Sequence, residues 1–203
     1  MEDKVQRAVE AFTTRDDILA ACVVDEDNDV DQMEVDIEEE CLKLLALYQP
    51  VATDLRFIIA VLKINNDLER IGDEAVNIAE RSLFLAQHEP VGDFFDFTDM
   101  AQKTQAMLRR SLDALVSLDP DLARAVGAAD DEVDELNRQM YLLVQQAMRR
   151  QPEKIEQFIH YLSTSRHLER IADYATNIAE DVVYMIEGEV VRHKPEVFST
   201  HKV

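Results

Sequence analysis

The sequence is poor in the residues that tight turns and disulfide frameworks require. Its 203 residues include only 4 glycines and 5 prolines, against average frequencies of ~7% and ~5%. Sheet proteins with many hairpins draw heavily on glycine and on Asn-Gly pairs, so a β fold is disfavoured and long helices are favoured. The two cysteines, Cys22 and Cys41, are isolated. They indicate neither a disulfide framework nor a zinc knuckle, and they fit a reducing compartment.

Long apolar runs and an N-terminal export signal are also missing. The longest unbroken apolar run, Ile18 to Val24, is far shorter than the ~20 residues that cross a bilayer. The first ten residues, MEDKVQRAVE, carry charges from the second position and contain no apolar segment. We therefore expect a cytoplasmic protein without membrane insertion.

Positive charge is scarce. There are 42 acidic residues against 21 basic ones, and the net charge is -21. Such a field repels phosphate backbones, which disfavours nucleic-acid binding, and it suits multivalent cations or basic protein surfaces. No nucleotide-binding glycine loop, serine nucleophile motif or Glu-x-x-His spacing occurs. We therefore predict no catalytic residues and a protein that is not an enzyme.

The chain contains an internal repeat. LERIGDEAVNIAE, from Leu68 to Glu80, recurs as LERIADYATNIAE from Leu168 to Glu180, a displacement of 100 residues (from 68 to 168). Upstream, DNDVD at Asp27 recurs as DDEVD at Asp130, a displacement of 103 residues (from 27 to 130). The two halves are therefore homologous and carry the same segments in the same order.

Apolar residues at helical spacing lie between Pro- and Gly-containing breaks in both halves. The pattern predicts six helices, at about 1–14, 17–49, 51–88, 93–118, 121–150 and 152–187. The fold class is therefore all-α, a tandem repeat of two antiparallel three-helix bundles, with domains at 1–90 and 91–203. We expect the second helix to kink near the DEDND segment, because Asp and Asn compete locally for backbone hydrogen bonds. The tail after Gly188 should be extended.

Acidic residues recur at four-residue spacing, which places them on one face of a helix. On the second helix they lie beside an apolar face that holds Met33, Ile37 and Leu44. Residues at equal distance from the turn at Pro50 lie at the same height of an antiparallel hairpin. The members of each half that should then face one another are Asp31 with Glu69 and Asp27 with Asp73, and, about the turn at Pro152, Asp134 with Glu169 and Asp130 with Asp173.

Four carboxylates at one level favour hard, oxygen-seeking cations such as iron, manganese, magnesium or calcium, with zinc as a further candidate. The amides of Asn77 and Asn177, one turn further on, offer an additional ligand. The alternative is that these stripes are only the solvated faces of an acidic protein. Arg70, which follows Glu69, is expected to form an ordinary i,i+4 ion pair with Glu74.

The motifs together resemble a known family. The run QPVATDLRFIIAVLKINNDLERIGDEAVNIAE, with DNDVDQMEVDIEEEC before it and RHLERIADYATNIAEDVVYMIEGEVVRHK in the second half, is similar to PhoU proteins. The resemblance implies six helices in tandem bundles, here with a shortened first helix. It also implies metal ions, iron above all, held in multinuclear clusters. By resemblance, one cluster would use Asp27, Asp31, Glu69 and Asp73, and the other Asp130, Asp134, Glu169 and Asp173.

The same resemblance implies regulation rather than catalysis. PhoU-like proteins are negative regulators of the phosphate-starvation response, which link the phosphate ABC transporter to its sensor. The expected partners are the ATPase subunit of that transporter, a phosphate-sensing histidine kinase where one exists, and a second copy in a homodimer. Two other functions stay open, a metal storage or redox protein that uses the carboxylate clusters and a metal-free acidic helical scaffold.

Overall fold

The structure, a computed structural model, describes residues 1–91 and 95–191, and within these ranges the regular structure is helical. A 3-10 turn at Pro152–Lys154 precedes the last helix. The α-helices are α1 (Glu2–Thr14), α2 (Asp17–Asp25), α3 (Asp27–Tyr48), α4 (Ala52–Ala86), α5 (Thr98–Ser117), α6 (Pro120–Gly127), α7 (Asp130–Arg150) and α8 (Ile155–Glu187). The predicted all-α class is confirmed.

These helices correspond to the six predicted helices, and the second and the fifth of those are each divided into two. The second rod is interrupted at Glu26, between α2 and α3, so the predicted kink in the acidic segment is confirmed. The fifth rod is interrupted at Ala128 and Ala129, between α6 and α7. That second break was not predicted, although Gly127, a poor helix former, directly precedes it.

The helices α2 and α6 begin in the same way in the two halves. Arg15 and Leu118 adopt the left-handed conformation at the ends of α1 and α5, with φ of 58° and 52°. An aspartate follows each of them and caps the next helix. Asp16 accepts a hydrogen bond from the Leu19 amide at 2.9 Å, and Asp119 accepts one from the Asp121 amide at 2.9 Å. The repeat displacement of 103 residues therefore holds for these caps as well.

The cap on α6 should contribute measurably to stability. We expect Asp119→Ala to lower the free energy of unfolding by about 1 kcal/mol, because two amides at the start of the helix lose their acceptor. Urea denaturation measures the change. Asp113→Ala removes an exposed carboxylate from α5 whose ion pair with Arg109 is 4.0 Å long, so it should change stability by less than about 0.5 kcal/mol. Equal losses in the two variants would show that the cap has no special role.

The core is centred on the long helices α4 and α8, which pack on each other, while α1, α2 and α3 pack on α4 and α5, α6 and α7 pack on α8. The two central helices run antiparallel, because Lys63 near the start of α4 pairs with Asp181 near the end of α8. Arg81 correspondingly contacts Ser163 at 3.4 Å. The repeated motif supplies the buried apolar positions of both helices, including Ile78 and Ile178.

The α3 helix of the first half is less buried than its counterpart α7 in the second half. The predicted apolar face of α3 is partly wrong, because Met33 is 63% exposed and Leu44 is 38% exposed. At a displacement of 103 residues, the counterpart of Leu44 is Ala147, which is fully buried. α5 packs on α7 as well as on α8, whereas α1, which is shorter, packs mainly on α4 and α2. Because α1 makes little contact with α3 in the described residues, part of the α3 face is exposed.

Two predicted boundaries fall at or beyond the described ranges. The fourth helix was expected from residue 93, which lies outside the described residues, and α5 begins only at Thr98. The expected extended tail is described as non-helical for residues 189–191, and residues 192–203 lie outside the described part. The domain division at 90/91 stays a prediction. In the described ranges, no helix is both long and apolar enough to cross a membrane.

Candidate metal centre

The predicted carboxylates of the first half lie near one another on the α3–α4 hairpin. We call Asp27, Asp31, Glu69 and Asp73 the first quartet. Partial burial, followed by repulsion from Asp73 and Asp31, raises the pKa of Glu69. Partial burial, followed by repulsion from Asp27 and Asp31, raises the pKa of Asp73. The structure therefore brings both predicted facing pairs into electrostatic range.

The matching residues of the second half, Asp130, Asp134, Glu169 and Asp173, form the second quartet. Partial burial and then repulsion from Asp173 and Asp134 raise the pKa of Asp130 to about 6. Partial burial and then repulsion from Glu169 and Asp134 raise the pKa of Asp173 to about 6. The pKa of Glu169 is also raised, by partial burial first and by Asp134 next. Each predicted pair of this hairpin is again within electrostatic range.

The second quartet borders an open cavity of about 360 Å³, and the residues that line it are Asp130, Arg170, Asp173, Tyr174, Thr176 and Asn177. Asn177 therefore shares a cavity with two quartet members, as its position in the sequence suggests. Asn77 is half-buried at the corresponding place on α4. The Thr176 hydroxyl donates a hydrogen bond of 3.5 Å to Asp130.

A lysine that the sequence reasoning missed belongs to the first quartet. Lys4, on α1, is only 6% exposed and forms an ion pair with the Oδ1 atom of Asp27. Its attraction also reaches Asp73, where it partly opposes the repulsion from the other carboxylates. A buried lysine is normally paired, so this contact fixes the place of the side chain.

A polar bridge joins the two halves directly beside the quartets. The buried carboxylate of Glu74, next to Asp73, lies 2.6 Å from His167 Nδ1 and 2.8 Å from Arg170 Nη1, both on α8. Ser163 Oγ lies 3.0 Å from the other ring nitrogen of His167. The predicted Arg70–Glu74 pair is therefore wrong. Glu74 points into the α4–α8 interface, where Arg170 reaches it, while the guanidinium of Arg70 lies 6.0 Å from the ring centroid of Tyr174.

The donor set of each quartet fits a hard cation. All eight side chains offer carboxylate oxygens. An ion between them would relieve the repulsion that, after burial, raises the pKa values of Glu69, Asp73, Asp130, Glu169 and Asp173. With the side chains as they stand, no three His, Cys, Asp or Glu residues of 1–91 and 95–191 converge closely enough to hold one ion. Ion binding would therefore require rotation of these carboxylates. Their assignment as metal ligands, with Asn77 and Asn177, stays a prediction.

Fold and site together define a class of protein, an all-helical tandem repeat with one acidic quartet on the second hairpin of each repeat. The PhoU domain family model matches this chain twice, at residues 1–82 and 97–182. The chain belongs to the PhoU family.

Similar proteins are matched along almost the whole chain. A protein of Aquifex aeolicus named phosphate-specific transport system accessory protein PhoU homolog is 39% identical over 194 residues, which cover 96% of this chain and 88% of the relative. A protein of Pseudomonas aeruginosa with the same name is 38% identical, over 95% of this chain and 80% of the relative.

Solved structures agree with the fold. The crystal structure of PhoU from Pseudomonas aeruginosa superposes with a TM-score of 0.89 at 37% identity, covering 93% of this chain and 90% of that one. A crystal structure named as the phosphate transport system regulatory protein PhoU from Streptococcus pneumoniae gives a TM-score of 0.85 at 30% identity, over 94% of this chain and 89% of that one.

Proposed function

We propose that this chain is a cytoplasmic accessory protein of phosphate transport, which binds metal ions in its two quartets and lowers phosphate uptake when phosphate is plentiful. The observation that carries the proposal is the PhoU match in both repeats, in each of which the two central acidic motifs face each other across a hairpin. Its role is regulatory rather than catalytic. It acts by contact with the ATPase subunit of a phosphate ABC transporter and with a phosphate-sensing histidine kinase where one is present.

Metal ions would act on this surface through the helix pairs. Carboxylates of α3 and α4, and of α7 and α8, repel one another at the level of the quartets. An ion between them removes that repulsion and fixes the two helices of each hairpin. The surfaces that contact other proteins then keep one shape. Iron is the first candidate, and zinc, manganese, magnesium and calcium are further ones. The net charge of -21 suits basic partner surfaces, and the working form is a homodimer.

Metal content tests the first part of the proposal. Protein purified without chelators should contain bound metal by elemental analysis, and the double variant Asp73→Ala with Asp173→Ala should lose most of it, because each quartet loses a central carboxylate. The matched control is Asp36→Ala with Glu135→Ala, which removes two exposed carboxylates from α3 and α7 whose side chains contact residues of their own helices. Unchanged metal content in the quartet variant would contradict the assignment.

Phosphate uptake tests the second part. In bacterial cells that have this chain as their sole PhoU protein, uptake from phosphate-rich medium should be several-fold lower than in cells without it. The purified chain should also capture the ATPase subunit of the transporter in a pull-down experiment, and the quartet variant should capture less of it. Equal uptake with and without the chain would refute the regulatory role.

Two alternative functions predict different results in the same material. A storage or redox protein would take up or oxidise ferrous iron with turnover in the presence of oxygen. A ligand that binds only the folded state raises the melting temperature. A metal-free scaffold has no such ligand for a chelator to remove, so it would melt at the same temperature with and without the chelator.

A further inference from the structure

In residues 1–91 and 95–191, an apolar stripe on α3 is left largely open to solvent. Its members follow one another at intervals of four or seven residues, which places them on one side of the helix. We call them the α3 stripe, and they are Met33, Ile37, Leu44 and Tyr48. Met33 and Tyr48 are 63% and 74% exposed. Contiguous exposed apolar surface of this kind, bordered by polar residues, is typical of an interaction site.

The internal repeat supplies a covered copy of the same surface. Two hydrogen bonds fix its register independently of the acidic motifs. Asn65 of α4 donates one to the backbone carbonyl of Glu34 on α3. Their counterparts, Ser165 on α8 and Asn137 on α7, are likewise joined by a hydrogen bond, of 2.6 Å. Residues of α3 therefore correspond to residues of α7 at the displacement of 103 residues already seen for the acidic segments.

The counterpart of the α3 stripe is buried. Met140, which corresponds to Ile37, is 5% exposed, and Ala147, which corresponds to Leu44, is fully buried. Ile37 is only half-buried and Leu44 is exposed. The same side of the repeat therefore faces protein in the second half and solvent in the first.

Residues 95–104 cover this side of the second half. The segment enters with two aromatic side chains and then begins α5, and its buried apolar members are Phe95, Phe97, Met100 and Ala101. Its methionine sulfur accepts a hydrogen bond from Ser165, the residue that also contacts α7. Lys103 forms an ion pair of 2.6 Å with Glu132 of α7. The fold thus places an apolar helix start with a lysine beside it on this surface.

The surface around the α3 stripe is more acidic than its counterpart. Eight acidic residues and one lysine belong to α3, whereas α7 has five acidic residues and three arginines. Asp29, which corresponds to Glu132, is exposed. Acidic residues beside an apolar stripe favour a partner whose apolar side is flanked by Lys or Arg.

We propose that the α3 stripe binds an amphipathic segment of another protein, apolar on one side and basic beside it, in the position that residues 95–104 take on the second half. The repeat shows that such a segment fits this side of the hairpin, and the charge of α3 selects a basic one. The inference goes beyond the proposed function. It does not depend on metal binding, because the stripe contains no member of either quartet.

Peptide binding to the full chain tests the proposal. The basic probe is a fluorescein-labelled peptide of residues 95–106 with Asp99→Lys and Gln102→Lys, and the parent probe is the same peptide without these changes. Both positions are exposed on α5, so the apolar side is kept. By fluorescence anisotropy in about 0.05 M salt, the basic probe should bind saturably and about fivefold or more tightly than the parent probe. The difference should shrink in about 0.5 M salt.

Two double variants locate the binding. Met33→Gln with Leu44→Gln removes apolar surface from the stripe and should weaken binding of the basic probe about tenfold or more. The matched control, Leu142→Gln with Leu143→Gln, changes two exposed leucines of α7 and should leave the affinity within about twofold. All four side chains are exposed, so both variants should keep the melting temperature and helical circular dichroism of the wild type.

Other results would overturn the inference and leave the proposed function standing, since phosphate uptake is measured separately. Equal binding of the basic probe by the wild type and the stripe variant would mean that net charge alone attracts the peptide. Absence of saturable binding, or a parent probe that binds as tightly as the basic one, would also contradict it. A wild type that sediments as a dimer, with a stripe variant that sediments as a monomer, would assign the stripe to a second copy of this chain.

Discussion

Replacement of Glu74 by alanine should lower the free energy of unfolding by about 2 to 4 kcal/mol. Glu74 is 3% exposed and has two partners on the opposite half of the chain, His167 and Arg170. Removing one member of a buried ionic group leaves the others without compensation, which costs more than the contact itself contributes. Arg170 is partly exposed and regains water, so we expect less than the full cost of a completely buried pair. A loss of this size is a large fraction of the stability of an ordinary domain.

Urea denaturation at pH 7 measures the loss, and two variants control it. Glu39→Ala removes an exposed carboxylate of α3 and should change stability by less than about 0.5 kcal/mol. Glu74→Gln keeps the shape and the hydrogen-bonding oxygen of the side chain but not its charge. Its loss of stability should therefore lie between those of Glu74→Ala and Glu39→Ala. A Glu74→Ala protein as stable as Glu39→Ala would mean that the bridge is not needed to hold α4 against α8.

The contribution of the second quartet to the stability of the metal-free protein should fall as the pH rises from about 4 to 6.5. The pKa values of Asp130 and Asp173 are raised to about 6. Between the ordinary pKa of 3.8 and 6, the folded chain binds more protons than the unfolded chain. Stability from these groups is therefore present at low pH and is lost as the pH rises through this window.

The double variant Asp130→Asn with Asp173→Asn isolates the effect. In the presence of a chelator, it should exceed the wild type by about 1 to 2 kcal/mol at pH 7, a value reduced from the full linkage because both groups are partly hydrated. At pH 4 the advantage should shrink towards zero. Denaturation curves at four pH values give the comparison. For the charge-matched control Asp36→Asn with Glu135→Gln, the free energy of unfolding should change with pH as it does for the wild type. The same pH dependence in the quartet variant would contradict the prediction.

Much of the fold could be read from the sequence because its signals are local or repeated. The duplicated motif defined the two halves, the helical spacing gave the rods, and the acidic segment around Glu26 marked a true break. Equal distance from each hairpin turn was enough to pair Asp31 with Glu69 and Asp134 with Glu169, because an antiparallel hairpin keeps its register.

What could not be predicted depends on contacts between distant segments. The i,i+4 rule assigned Arg70 to Glu74, since nothing local indicates that α8 offers Arg170 and His167 instead. The exposure of Met33 depends on whether another helix packs over α3, which hydrophobic periodicity does not report. Lys4 lies 23 residues from Asp27, and no local pattern in the sequence relates the two residues.

The antiparallel packing of α4 and α8 has a mechanical consequence. Glu74 of α4 meets Arg170 of α8, so Asp73 and Glu169, their neighbours in the sequence, are at nearly the same height. Ions in both quartets would join α3 to α4 and α7 to α8 at that height, where the ion pair already joins α4 to α8. The four helices α3, α4, α7 and α8 would then be held together at one level, near the middle of α4 and α8. Bending of these helices would be confined to the ends of the two hairpins.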